Sequence, residues 1–175
     1  SKHMVVRKSS DVSAVRPGDV VTYTLSFAVS EYAGTENVVI TDTMPDGLTY
    51  NGVSSMTIGG STVAISPSVA NNSPAGGQTT VTYDVSGALG ATFAATSSGV
   101  ITYTATVDET YINGDSIRAS DRITNDALIE YSVVGGAGAA PNFCTDTSTN
   151  TLQVFPLTIE KTLLSTQAEF YPGDT

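Results

Sequence analysis

Three polar residues stand where the alternation of the chain asks for apolar ones: Lys8, Asp42 and Asn125. Lys8 shares a two-residue phase with Val6, Asp42 with Val38 and Ile40, and Asn125 with Ile123, Ala127 and Ile129. Singly, each has an ordinary explanation. A lysine at a strand end snorkels to water, an aspartate before a turn caps it, and an asparagine bonds locally. All three in phase with core residues imply burial instead. Burial strips the proton from an amine and holds one on a carboxyl group. A neutral amine is a nucleophile, and a protonated aspartate can donate to an amide oxygen and polarise its carbon. The chemistry expected of the trio is attack of the Lys8 amine on the Asn125 carboxamide, with Asp42 as the catalytic group and ammonia as the leaving group. The product is an isopeptide bond, and enclosure in a folded core supplies the proximity that so slow an exchange needs.

The elements that position these groups are strands. Val21, Tyr23, Leu25, Phe27 and Val29 alternate with Thr22, Thr24 and Ser26 after a Pro17-Gly18-Asp19 turn. The Asp42 segment ends at Pro45-Asp46-Gly47. Ile101, Tyr103, Ala105 and Val107 form another inward set, and the Asn125 segment follows the Asn113-Gly114 turn. A hairpin is expected over Gly59-Gly60, a strand over Val81–Val85, and a last strand over Thr151–Phe155. The stretch from Gly87 to Gly99 reads as one irregular strand around Phe93, and no helix is expected. Many short alternating strands separated by turn signals predict an all-β, Ig-like antiparallel sandwich, here with an intramolecular isopeptide cross-link.

The chain has 175 residues, 40% of them hydrophobic and 14% charged, and no Trp. That is enough for one sandwich domain with a substantial core. A formal net charge of −10 argues against nucleic acid as a partner, because phosphate binding needs a basic face. No apolar run reaches membrane-spanning length. Cys144 is the only cysteine, so an intrachain disulfide is impossible. Residues 1–4 are expected to be a remnant of expression and residues 5–156 the Ig-like domain. Lys161 precedes Pro172-Gly173-Asp174 much as Lys8 precedes Pro17-Gly18-Asp19, so residues 157–175 read as the first strand of a following, truncated repeat or a linker. Lys161 would be the cross-linking lysine of that repeat.

The segments PGDVVTYTLSF, NVVITDTMPDGLTY, VTYDVSGALGATF and ITNDALIEY, in that order, resemble the repeat domains of bacterial and archaeal cell-surface proteins. They are also similar to the collagen-adhesin type of Ig-like domain, and the likeness spans roughly Val5 to Phe155. The resemblance implies a cross-link between a first-strand lysine and a late-strand asparagine, promoted by an early-strand aspartate. Position by position these are Lys8, Asn125 and Asp42. It further implies an extracellular stalk or pilus-like module, at the cell surface or attached to the cell wall, whose partners are neighbouring repeats of the same chain. No cofactor is implied, and no catalysis beyond a single self-directed turnover. The segment from Gly135 to Asn150 departs from the pattern.

Other readings attach to other residues. Tyr32, Tyr111 and the Gly135–Asn150 segment would serve a module that grips a host or matrix ligand through its loops. Asp108, Glu109, Asp115 and Asp121 offer oxygen ligands for calcium, but their spacing fits no EF-hand loop, and no metal site is assigned. A Ser-His-Asp or Cys-His enzyme is excluded. His3 is the only histidine, and Cys144 has no base near it in sequence to activate it.

Overall fold

Alternation of β-branched and aromatic residues with Thr and Ser dictates strands buried on one face, and the computed structural model has eleven strands among its described residues, the longer ones patterned in this way. It describes residues 3–135 and 144–156. In chain order the first six are β1 (Met4–Ser10), β2 (Ala14–Val15), β3 (Val20–Val29), β4 (Thr35–Met44), β5 (Leu48–Ile58) and β6 (Ser61–Thr62). They are followed by β7 (Ser68–Asn71), β8 (Thr79–Asp84), a short helix α1 (Val85–Leu89), β9 (Ser98–Val107), β10 (Arg122–Val133) and β11 (Cys144–Val154). One sheet has the order β1-β3-β9-β5-β6, the other β2-β11-β10-β4-β8-β7. Their inward faces form the core. In β3 every second residue from Val21 to Val29 is buried, and in β9 Ile101, Tyr103, Ala105 and Val107 are. This is the Ig-like sandwich that the alternation predicts.

The register decides what meets in the middle. Lys8 of β1 lies opposite Leu25 of β3, and Tyr23 of β3 lies opposite Tyr103 of β9. In the second sheet Asp42 of β4 lies opposite Ala127 of β10, which makes Asn125 its diagonal neighbour on the same face. The Pro45-Asp46-Gly47 turn closes β4 with Gly47 at φ 92, where a side chain would be strained and would crowd Ile117 and Tyr111.

Two local expectations are corrected. The stretch after β8 opens with a helix, not an irregular strand. Asp84 caps it by accepting from Gly87 N at 2.8 Å, and Gly90 ends it in the left-handed region. Five residues are too few for a helical period to register in the sequence. Phe93 makes only an isolated bridge to Thr35. The last strand begins at Cys144, not Thr151, so residues 144–150 of the Gly135–Asn150 segment are strand, paired with β10 as part of a ladder from Tyr131↔Cys144 to Arg122↔Gln153.

That extension was hidden because its side chains bind the backbone of another strand instead of filling the core. β1 pairs with β3 along one edge. On its other side Val6 N donates to Asp146 Oδ2 at 2.9 Å and Lys8 N donates to Ser148 Oγ at 2.9 Å. His3 N and Met4 N both donate to the Tyr131 hydroxyl at 3.0 Å. Polar side chains of one sheet thus close the edge of the other.

Two substitutions test this packing. Ser148→Ala leaves the Lys8 N–H without its acceptor and should cost about 1–3 kcal/mol in urea unfolding. Gly99 lies opposite Phe27, and a Cβ there would overlap the Phe27 ring, which packs edge-on against Phe93. Gly99→Ala should therefore destabilise by about 1–3 kcal/mol, read as a lower urea midpoint.

Candidate cross-linking site

The site sits between the sheets, with Lys8 and Tyr103 from one and Asp42 and Asn125 from the other. Lys8 follows Met4 and Val6 inward, and its side chain is wholly removed from solvent, as is that of Asp42. Asn125 is equally buried, between Ile123 and Ala127 in the inward phase of β10. The residues that the sequence singled out for chemistry therefore share one enclosure.

The Tyr103 hydroxyl joins them. It accepts from Lys8 Nζ at 2.8 Å and from Asn125 Nδ2 at 2.9 Å, and it donates to Asp42 Oδ2 at 2.9 Å. One donor and two acceptor positions exhaust what a phenol offers. Lys8 Nζ also donates directly to Asp42 Oδ2. Two acceptor oxygens in the cluster, Asp42 Oδ1 and Asn125 Oδ1, are buried without a hydrogen-bond partner, and so is the hydroxyl of Tyr23. The carboxylate and amide oxygens can only accept, so the Tyr23 hydroxyl and a proton on the Asp42 carboxyl are the donors that could satisfy them.

Aromatic rings wall the cluster from water. Tyr23 stacks on Tyr103 with centroids 5.3 Å apart, and Tyr50 and Tyr83 pack against Tyr103 at 5.6 and 6.3 Å. Lys8 Nζ lies 4.9 Å from the centre of the Tyr23 ring and 5.2 Å from that of Tyr103. Burial lowers the pKa of the Lys8 amine, against the opposing pull of Asp42. Burial likewise raises that of the Asp42 carboxyl, against the opposing pull of Lys8. For both groups desolvation outweighs mutual attraction, which favours a neutral amine beside a neutral acid. The Tyr103 phenol is pushed well above its usual range, first by burial and then by Asp42, so it keeps its proton.

Sequence reasoning placed Tyr103 inward on its strand and gave it no chemical part. Nothing in a run of alternating core residues marks one phenol as different. A tyrosine in phase on the strand that pairs with β3 is the nearest thing to a signal.

The remaining candidates are dispersed. Lys161 lies outside the described residues, as do residues 136–143 of the Gly135–Asn150 segment. Cys144 is a half-buried free thiol at the start of β11. Tyr32 is exposed, whereas Tyr111 donates to Asp121 Oδ2 at 2.9 Å. Asp108 accepts from Thr49 Oγ1, Asp115 from Asn113 Nδ2, and Asp121 also from Arg118 N. Among the described residues no three His, Cys, Asp or Glu side chains converge as a metal site. Nor, among them, is any helix long and apolar enough to cross a membrane.

No protein-family model matches the sequence, and no curated protein does. Solved structures do share its fold. The C-terminal fragment of the major pilin GBS80 of Streptococcus agalactiae superposes with TM-score 0.63 at 17% identity, covering 88% of this chain and 56% of that one. The full-length major pilin SpaD of Corynebacterium diphtheriae gives 0.61 at 12% identity, covering 86% of this chain and 34% of that one. A non-cellulosomal cohesin from the archaeon Archaeoglobus fulgidus gives 0.52 at 10% identity, covering 87% and 91%. This chain thus spans about half or less of the pilins it matches. Its two-sheet architecture is the Ig-like sandwich that these two major pilins share.

Proposed function

We propose that this chain is a structural module of a bacterial surface protein, strengthened by an isopeptide bond that it forms on itself between Lys8 and Asn125. The observation that carries the reading is the enclosure of an amine, a carboxyl and a carboxamide around one hydroxyl, with burial favouring the neutral forms of amine and acid. The Lys8 Nζ lone pair attacks Asn125 Cγ. The Asp42 carboxyl donates to the amide oxygen, drawing charge onto it as the tetrahedral intermediate forms. The new bond is Nζ–Cγ, the bond that breaks is Cγ–Nδ2, and the nitrogen departs as ammonia. Nothing is oxidised, and no cofactor takes part.

The fold shared with major pilins favours a pilus or stalk setting, with neighbouring copies as partners and the outside of the cell as the location. The cohesin, with the same fold, shows why fold alone does not decide this. The case for a structural role rests on the bond itself, since it would join β1 of one sheet to β10 of the other. Closing a loop of roughly a hundred residues is worth about 4–5 kcal/mol on the chain-entropy account. Tension entering through β1 would also pass into the second sheet through covalent bonds that no reductant opens.

Intact mass tests the reading. The folded wild-type chain should weigh one ammonia less than its sequence, and Asn125→Ala should show its full calculated mass and melt at a lower temperature. A wild-type chain of full mass would remove the proposal. The rate of mass loss, followed as unfolded chain is returned to native buffer, should be bell-shaped in pH. Because the Lys8 pKa is lowered and the Asp42 pKa raised, the pair holds a single proton between the two limbs. The acid limb appears as a second proton charges Lys8 while Asp42 stays neutral, and the alkaline limb as Asp42 ionises. A rate that does not change with pH would count against these roles.

A further inference from the structure

We infer that Tyr103 is a catalytic residue of this site, relaying a proton from the attacking Lys8 nitrogen to the departing Asn125 nitrogen. The inference rests on the cross-linking reading above and assigns a step that the lysine, aspartate and asparagine leave open. Amide exchange needs two proton movements at nitrogen. Nζ must lose a proton once it bonds to Cγ, and Nδ2 must gain one, because an amide anion is not a viable leaving group. The two nitrogens need a common partner, and the Tyr103 hydroxyl is that partner, 2.8 Å from Nζ and 2.9 Å from Nδ2. Asp42 Oδ2 touches Nζ and the phenol, whereas the hydrogen bond described for Nδ2 goes to Tyr103.

The step balances without another reactant. As the tetrahedral intermediate collapses, the Tyr103 O–H turns from Asp42 Oδ2 to Nδ2, both 2.9 Å from its oxygen, and gives up its proton there. The same oxygen takes the surplus proton from Nζ. Cγ–Nδ2 breaks, ammonia departs and the phenol is regenerated. A relay of this kind must hold a proton at rest, and burial keeps the phenol protonated far beyond neutral pH. It must also be fixed in place. The Tyr103 ring is stacked on Tyr23 and flanked by Tyr50 and Tyr83, which leaves the hydroxyl rotor as its free movement.

The experiment follows mass loss in chain recovered unfolded with the bond not yet formed, then diluted into native buffer. Tyr103→Phe keeps the ring and removes the relay, and should slow ammonia loss about a hundredfold or more. Tyr83→Phe removes a hydroxyl from the same aromatic cluster that touches none of the reacting atoms, and should leave the rate near wild type. Circular dichroism establishes that each variant is folded. The wild-type rate in mixtures of H2O and D2O should curve with deuterium fraction, as two protons in flight require. Folded Tyr103→Phe that cross-links at the wild-type rate overturns the relay while the cross-link stands. A linear deuterium dependence overturns it too, including where Tyr103→Phe is slow or does not fold, since it would reduce the hydroxyl to a positioning role. A wild-type chain that never loses ammonia defeats the underlying reading itself.

Discussion

Desolvation of Lys8 and Asp42 between two sheets is the constraint on which the rest of this structure turns. An amine and a carboxyl group placed in an apolar interior cost several kcal/mol each as ions, and their attraction repays that only with excellent geometry. The sandwich meets the constraint by surrounding the pair with tyrosines and giving it one shared phenol. Neutral forms are favoured, and the neutral amine is the reactive one. On the proposed reading, the same burial that threatens stability would prepare the chemistry, and a bond between Lys8 and Asn125 would replace a costly pair with an ordinary amide.

Position follows from topology. Lys8 lies on the first strand of one sheet, next to β3, while Asp42 and Asn125 lie on paired strands of the other. Their meeting requires both sheets to be assembled and stacked, so the groups cannot assemble before the fold does. Under the proposed cross-linking, this ordering would avoid premature condensation with a wrong partner, because in the open chain the lysine is charged and the amide is solvated.

What could be read from the sequence depended on contrast. Lys8, Asp42 and Asn125 stood out because each broke an apolar phase, and the sandwich followed from the clean alternation of the strands now seen as β3, β9 and β10. Tyr103 broke nothing, since a tyrosine is what a core strand is expected to carry, and its hydroxyl partners lie on three other strands. The early half of β11 was illegible for the opposite reason. Asp146 and Ser148 serve as acceptors for backbone N–H groups of β1, so the strand lacks the apolar period that marks its neighbours. Helix α1 depends on a cap at each end and has no room for a face.

The seam between β1 and β11 has a geometric consequence. Val6 meets Asp146 and Lys8 meets Ser148, so residue numbers rise together and the two strands run in the same direction. The chain enters β1 at one pole of the sandwich and leaves β11 at the other, where β2 pairs with it. A pull applied to both ends would slide these strands past their neighbours in shear, straining many hydrogen bonds at once rather than peeling them singly.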